Sequence, residues 1–139
     1  MMILKATLLA LGGTIALAAH DPLTELVIGA PMPAADKVMK NVMGGDKSLS
    51  GIKGENGTLV VFSCNTCPFV VGSDGSAGWE GRYPELGNFC RTNKIGFALV
   101  NSNAAKREAG DSFADMQAHY KEKGYNMHYL LDENSEVAD

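Results

Sequence analysis

Apolar residues in this chain fall into short runs punctuated by Gly, Asn and Asp, and the period changes from run to run. "TLVVF" (Thr58 to Phe62) is continuous, β-branched and bounded by Gly57 and Ser63. That pattern predicts a central parallel strand buried on both faces. "GFALVN" (Gly96 to Asn101) and "MHYLL" (Met127 to Leu131) predict two more strands, the last ended by Asp132-Glu133-Asn134. Helical spacing takes over between them. Tyr83, Leu86, Phe89 and Cys90 share one face of "RYPELGNFCRTN", where Pro84 is tolerated in a first turn. In "DSFADMQAHYKEKG", Ser112 can cap a helix with Asp115 three residues on, and Gly124 stops it. Phe113, Met116 and Tyr120 form its apolar face, and Ser135 to Ala138 begin a further helix. Upstream, the turn signals Gly44-Gly45-Asp46 and Gly54-Glu55-Asn56-Gly57 predict a β-hairpin. Strand–helix–strand–helix–strand is an α/β pattern with right-handed crossovers.

Length bounds this pattern to one domain: 139 residues, 45% hydrophobic and 20% charged, with room for a real core. A net charge of −4 with scattered Lys and Arg gives no electrostatic footprint for nucleic acid or for a membrane surface. The first residues change the picture of where the chain works. Lys5 is followed by an apolar run from Ala6 to Ala19, shorter than the ~20 residues a membrane span needs. Ala16 and Ala18 form an A-x-A pattern. The reading is a signal peptide, residues 1–18, cut after Ala18, with residues 19–139 as the domain and a periplasmic or secreted destination. "AHDPLTELVIGAPMPAAD" then reads as an extended N-terminal arm.

Candidate chemistry centres on "SCNTCPFV", Ser63 to Val70, directly after the first predicted strand. Outside the cytoplasm a C-x-x-C pair can hold a disulfide. At a strand–helix junction, the helix N-terminus stabilises a thiolate on the first cysteine, and the second can resolve a mixed disulfide. Cys64 is thus the expected exposed nucleophile and Cys67 the resolving thiol, with Pro68 suited to a first turn. Three uses compete for the pair. Thiol–disulfide exchange is favoured. Copper or zinc binding through the same cysteines is the alternative, with His128 as the distant ligand, although Cys90, His119 and His128 are isolated in sequence. An inert structural pair is the third, which would make the domain a non-catalytic interaction module. Cys90, the odd cysteine, lies on the apolar helix face and reads as a small buried hydrophobe. No cofactor is called for.

"LVVFSCNTCPFV", with "GFALVNSN", "DSFADMQAHYKEKGY" and "HYLLDENSEVA", resembles the thioredoxin-like redoxin family, the peroxiredoxin-like group of AhpC-TSA type. The resemblance runs from about Val27 to the C-terminus. "YPEL" at Tyr83 to Leu86 is similar to the proline-bearing first helix of periplasmic thioredoxin-like reductants. It implies a thioredoxin-type fold, an N-terminal hairpin plus a central sheet with helices on both faces, and a redox-active Cys64/Cys67 pair. It does not imply peroxidase activity. That chemistry expects P-x-x-x-[TS]-x-x-C, and Val60 and Cys64 stand seven and three residues before Cys67.

Two departures mark the chain. "GSDGSAG", Gly72 to Gly78, interrupts the helix the family runs on from its motif and reads as a tolerated insertion or a flexible loop shaping partner access, with the first favoured; Trp79 after it is a core anchor or part of a partner-binding rim, with the core favoured. The family also sets a cis-proline strand, a hairpin and a last helix after the final helix seen here, whereas all five prolines lie at or before Pro84. The expectation is a C-terminally incomplete domain. Its implied partners are protein thiols or disulfides and an upstream redox partner, with neither nucleic acid nor membrane. It is expected to be marginally stable or to self-associate through an exposed sheet edge. A monodisperse monomer with a cooperative, high-temperature unfolding transition would contradict the last point.

Overall fold

A computed structural model describes residues 26–138; the predicted signal peptide lies outside them. Residues 26–30 make a turn closed by the Ala30 N–H on the Val27 carbonyl at 2.9 Å. From Pro31 onward the chain builds strands β1 (Met39–Asn41), β2 (Asp46–Lys47), β3 (Thr58–Phe62), β4 (Gly96–Asn101) and β5 (His128–Leu131). Helices α1 (Pro68–Val71), α2 (Tyr83–Thr92) and α3 (Phe113–Glu122) alternate with the last three strands. Among the described residues no helix is long and apolar enough to cross a membrane.

The sheet runs β2-β1-β5-β4-β3. β4 pairs in parallel with β3 and with β5, so α2 and α3 serve as the crossovers that parallel pairing requires. β1 turns antiparallel onto β5, with Lys40 opposite Leu131, and β2 completes the predicted hairpin. Gly44 and Gly45, at φ +95° and +68°, supply the left-handed backbone of that turn.

β4 explains both cores. Its side chains alternate between faces, and Phe97 to Asn101 are all buried. Phe97 and Leu99 pack with Tyr83 and Cys90 of α2, Met116 of α3 and Tyr129 of β5. Ala98 and Val100 meet Met39, Leu49 and Leu130 on the other face. That second face is covered by one 3-10 turn at Ser50–Ile52 rather than by α2 or α3.

α3 begins as the sequence predicts. Ser112 accepts the Asp115 N–H at 3.1 Å while the Asp115 carboxylate takes the Ser112 N–H at 3.1 Å. Glu80, in a 3-10 turn before α2, receives Lys123 at 2.9 Å and meets His119 at 2.7 Å, tying that turn to α3. Burial pushes the Glu80 carboxyl up, but hydrogen bonds and charge from Lys123 and His119 outweigh it and hold it below its ordinary value.

Three local expectations change. β3 is a half-buried edge strand among the described residues, paired only with β4, and not a strand buried on both faces. A continuous apolar run reports hydrophobicity but not how many neighbours a strand has. Phe89 points outward from α2 at 57% exposure. Residues 133–138 form turns instead of a helix, with Ser135 at φ +61°. The Asp132 carboxylate accepts the Val137 N–H at 3.0 Å and the Ser102 hydroxyl at 2.7 Å, which folds this segment back on the sheet.

Candidate functional site

The cysteine pair sits where β3 leaves the sheet. Ser63 still donates to the Val100 carbonyl at 2.9 Å, and its hydroxyl lies 3.2 Å from the Tyr83 phenol. Cys67 is the N-cap of α1, with φ −77° and ψ 123°, and its carbonyl accepts the Val70 and Val71 N–H groups at 2.9 Å. Pro68 occupies the first turn as predicted. α1 is four residues long, so the junction exists but the helix after it is short.

Both sulfurs are free thiols. Cys64 is 9% exposed, and Cys67 is the more open of the two. The expected exposed Cys64 in a first helical turn is therefore corrected: the helix starts after Cys67, and Cys64 sits beneath the bend that precedes it. Burial pushes the Cys64 thiol up; backbone N–H groups of Thr66 and Cys67 on the sulfur draw it down by less, and the charges of Asp111 and Cys67 push up again.

The spacer between the cysteines is held by residues that sequence reasoning left unassigned. Asp111, before α3, accepts the Asn65 N–H at 2.6 Å and the Thr66 hydroxyl at 2.7 Å. Asn101 and Asn103 donate to the same carboxylate at 2.8 Å each. Tyr129 of β5 donates to the Asn65 amide oxygen at 2.9 Å. Arg107 stitches the surrounding backbone, donating to the Asn101 and Asp132 carbonyls at 2.8 and 2.7 Å. One signal was available: Asn101 ends an apolar run that is otherwise wholly buried, and a buried amide needs partners.

An apolar groove of about 720 Å³ opens beside the pair, between β3, α1 and α2. Phe62, Phe69, Trp79, Leu86 and Phe89 line it. Trp79 is 60% exposed and lies under the Arg82 guanidinium, 4.2 Å from the ring centroid, so it is a rim residue rather than the expected core anchor. The Gly72–Gly78 insertion is a small closed loop. Ser73 and Ser76 exchange backbone hydrogen bonds of 3.0 and 2.9 Å, and the Trp79 N–H returns to the Phe69 carbonyl at 3.1 Å. Gly78 is required there, since a Cβ would fall 2.0 Å from the Val70 carbonyl oxygen.

His128 stands apart from the cysteines. It pairs with Ala98, which pairs with Val60, four residues before Cys64. That is roughly 13 Å along the strand direction, two strands away, and its Nδ1 already faces the Asn41 amide at 3.2 Å. Burial, then Lys47, pushes the His128 imidazole below its ordinary value. Among the described residues, no three His, Cys, Asp or Glu side chains are grouped to hold a metal ion. Cys90 is buried in the α2 core, and burial raises its thiol, in keeping with a packing role.

No family model and no curated protein matches this chain. Solved structures do. An uncharacterized conserved protein from Geobacillus kaustophilus is 32% identical, with a TM-score of 0.64 over 73% of this chain and 51% of that one. A secreted Mycobacterium tuberculosis disulfide oxidoreductase, homologous to E. coli DsbE, aligns at TM-score 0.50 and 15% identity over 72% and 63% of the two chains. The Xanthomonas campestris bacterioferritin comigratory protein, studied for alkyl peroxide reduction, aligns at 0.54 and 13% over 85% and 64%. The chain spans about half the length of the Geobacillus protein. The mixed five-stranded sheet is a thioredoxin-like fold. It is the architecture of the thioredoxin-fold redoxins, as the sequence resemblance implies.

Proposed function

We propose that this chain is an exported thiol–disulfide oxidoreductase working through Cys64 and Cys67. The observation that carries the reading is the placement of Cys64. It stands at the β3–α1 junction, three residues from a second free thiol, and the backbone N–H groups of Thr66 and Cys67 offset part of the rise that burial imposes on its thiol. Such donors stabilise the thiolate that attacks. The Cys64 thiolate attacks one sulfur of a protein disulfide; that bond breaks, a Cys64–partner disulfide forms, and the released sulfur takes up a proton. The Cys67 thiolate then attacks the Cys64 sulfur, closing the Cys64–Cys67 disulfide and freeing the second partner thiol. Two electrons and two protons pass to the partner, and an upstream thiol reductant restores the pair.

The Mycobacterium neighbour, a secreted disulfide oxidoreductase, supports both the chemistry and the location. Peroxide reduction, studied in the Xanthomonas neighbour, is disfavoured here by Val60 and Cys64 at the positions of the expected proline and hydroxyl. In this reading residues 1–18 direct export and are removed. The groove and the open edge of β3 receive polypeptide, including a second copy of the chain. The test of function is thiol-dependent reduction of insulin disulfides, with Cys64→Ser as control.

A further inference from the structure

The Asp111 carboxylate is fully buried, and both its oxygens are saturated by neutral donors. Two of the four donors are the residues between the cysteines, reached across 46 and 45 positions of sequence. The spacer has little else left to move. The Asn65 amide donates to the Gly110 carbonyl at 2.9 Å, and its oxygen is taken by Tyr129. The nearest cation, Arg107, bonds Asn101 and the Asp111, Asn101 and Asp132 carbonyls, and gives the Asp111 carboxylate nothing. A buried carboxylate bonded only by neutral groups keeps its full field on its surroundings.

Resting on the redox reading of the pair, we propose that Asp111 is a positioning residue for Cys64 and Cys67: its buried carboxylate locks the Asn65–Thr66 spacer and stands one peptide unit from Cys64. The groups that face Cys64 are few. Asp111 comes from the loop before α3, Cys67 from the motif, Tyr83 from α2 and Tyr129 from β5. Burial pushes both phenols up, so they stay neutral where a thiol titrates, and Asp111 is the carboxylate of the set. A neutral spacer clamp would hold the loop equally well. The charge adds control over when the thiolate forms, and it is what distinguishes this role from plain loop packing.

The test is the pH profile of Cys64 alkylation by iodoacetamide in the reduced full chain, read by peptide mass spectrometry so that Cys67 and Cys90 are scored separately. Asp111→Asn keeps the shape and removes the charge. Its profile should move to lower pH. Each tenfold gain in thiolate should raise the rate about threefold, because nucleophilicity falls with basicity. An unmoved profile in a folded Asp111→Asn protein overturns the proposal. Should that variant not fold, hydrogen exchange of the Asn65 amide in the unaltered protein decides: slow exchange supports the clamp, and exchange at the rate of an open loop overturns it. Neither readout needs turnover. A chain that reduces no disulfide sinks the redox reading alone, and an unmoved profile with turnover intact sinks the Asp111 role alone.

Discussion

Replacing Cys67 with serine should leave Cys64 able to attack but unable to be released, so a mixed disulfide with the partner accumulates and turnover falls to background. Cys64→Ser should give neither adduct nor turnover. Two effects compete at the pair. Exposure favours Cys67, the more open sulfur at the N-cap of α1. Burial holds the Cys64 thiol above its ordinary value, and the Thr66 and Cys67 N–H groups offset only part of that rise. The thiolate, not the thiol, is the nucleophile, so the roles assigned here require those donors to outweigh burial once a partner is docked. Non-reducing electrophoresis and mass spectrometry of each variant with a disulfide substrate check this. A trapped adduct on Cys67 in Cys64→Ser, with none in Cys67→Ser, would reverse the two roles.

Leu99→Ala should be the most damaging single change to stability. Leu99 is fully buried at the middle of β4, the strand that both other parallel strands pair with, and it packs in the core shared with α2, α3 and β5. Removing it costs the transfer energy of the lost methyl groups and leaves a cavity, about 2–5 kcal/mol together. Set against a typical total of about 5–15 kcal/mol, that is a large part of the fold's stability. The urea midpoint should fall with the slope unchanged. Phe89→Ala, on the open side of α2, should stay within about 0.5 kcal/mol. Equal losses from the two variants would contradict the assigned core.

Much of this was legible because it is local. α3 shows its start in a capping box and its stop in Gly124, both contained within a dozen residues. β4 is readable because a strand buried on both faces has no polar position to hide among apolar ones. The cysteine motif and the hairpin are likewise short-range signals. What escaped depends on neighbours far along the chain. β3 has the composition of a central strand and the position of an edge one, and only the sheet order tells them apart. Trp79 reads as a core residue by type, yet its ring is held at a groove rim by Arg82. Asp111 is hardest to foresee. A single acid before a helix looks like part of a cap, and nothing near it announces four donors from two other segments.

The central claim is that the Cys64–Cys67 pair carries electrons to protein disulfides. The most direct measurement is the rate of insulin disulfide reduction by the chain in the presence of a small thiol reductant. The account predicts reduction well above the reductant alone, lost in Cys64→Ser and retained in Cys90→Ser. A rate no greater than that of the reductant alone, from folded protein with both motif thiols free, would contradict it.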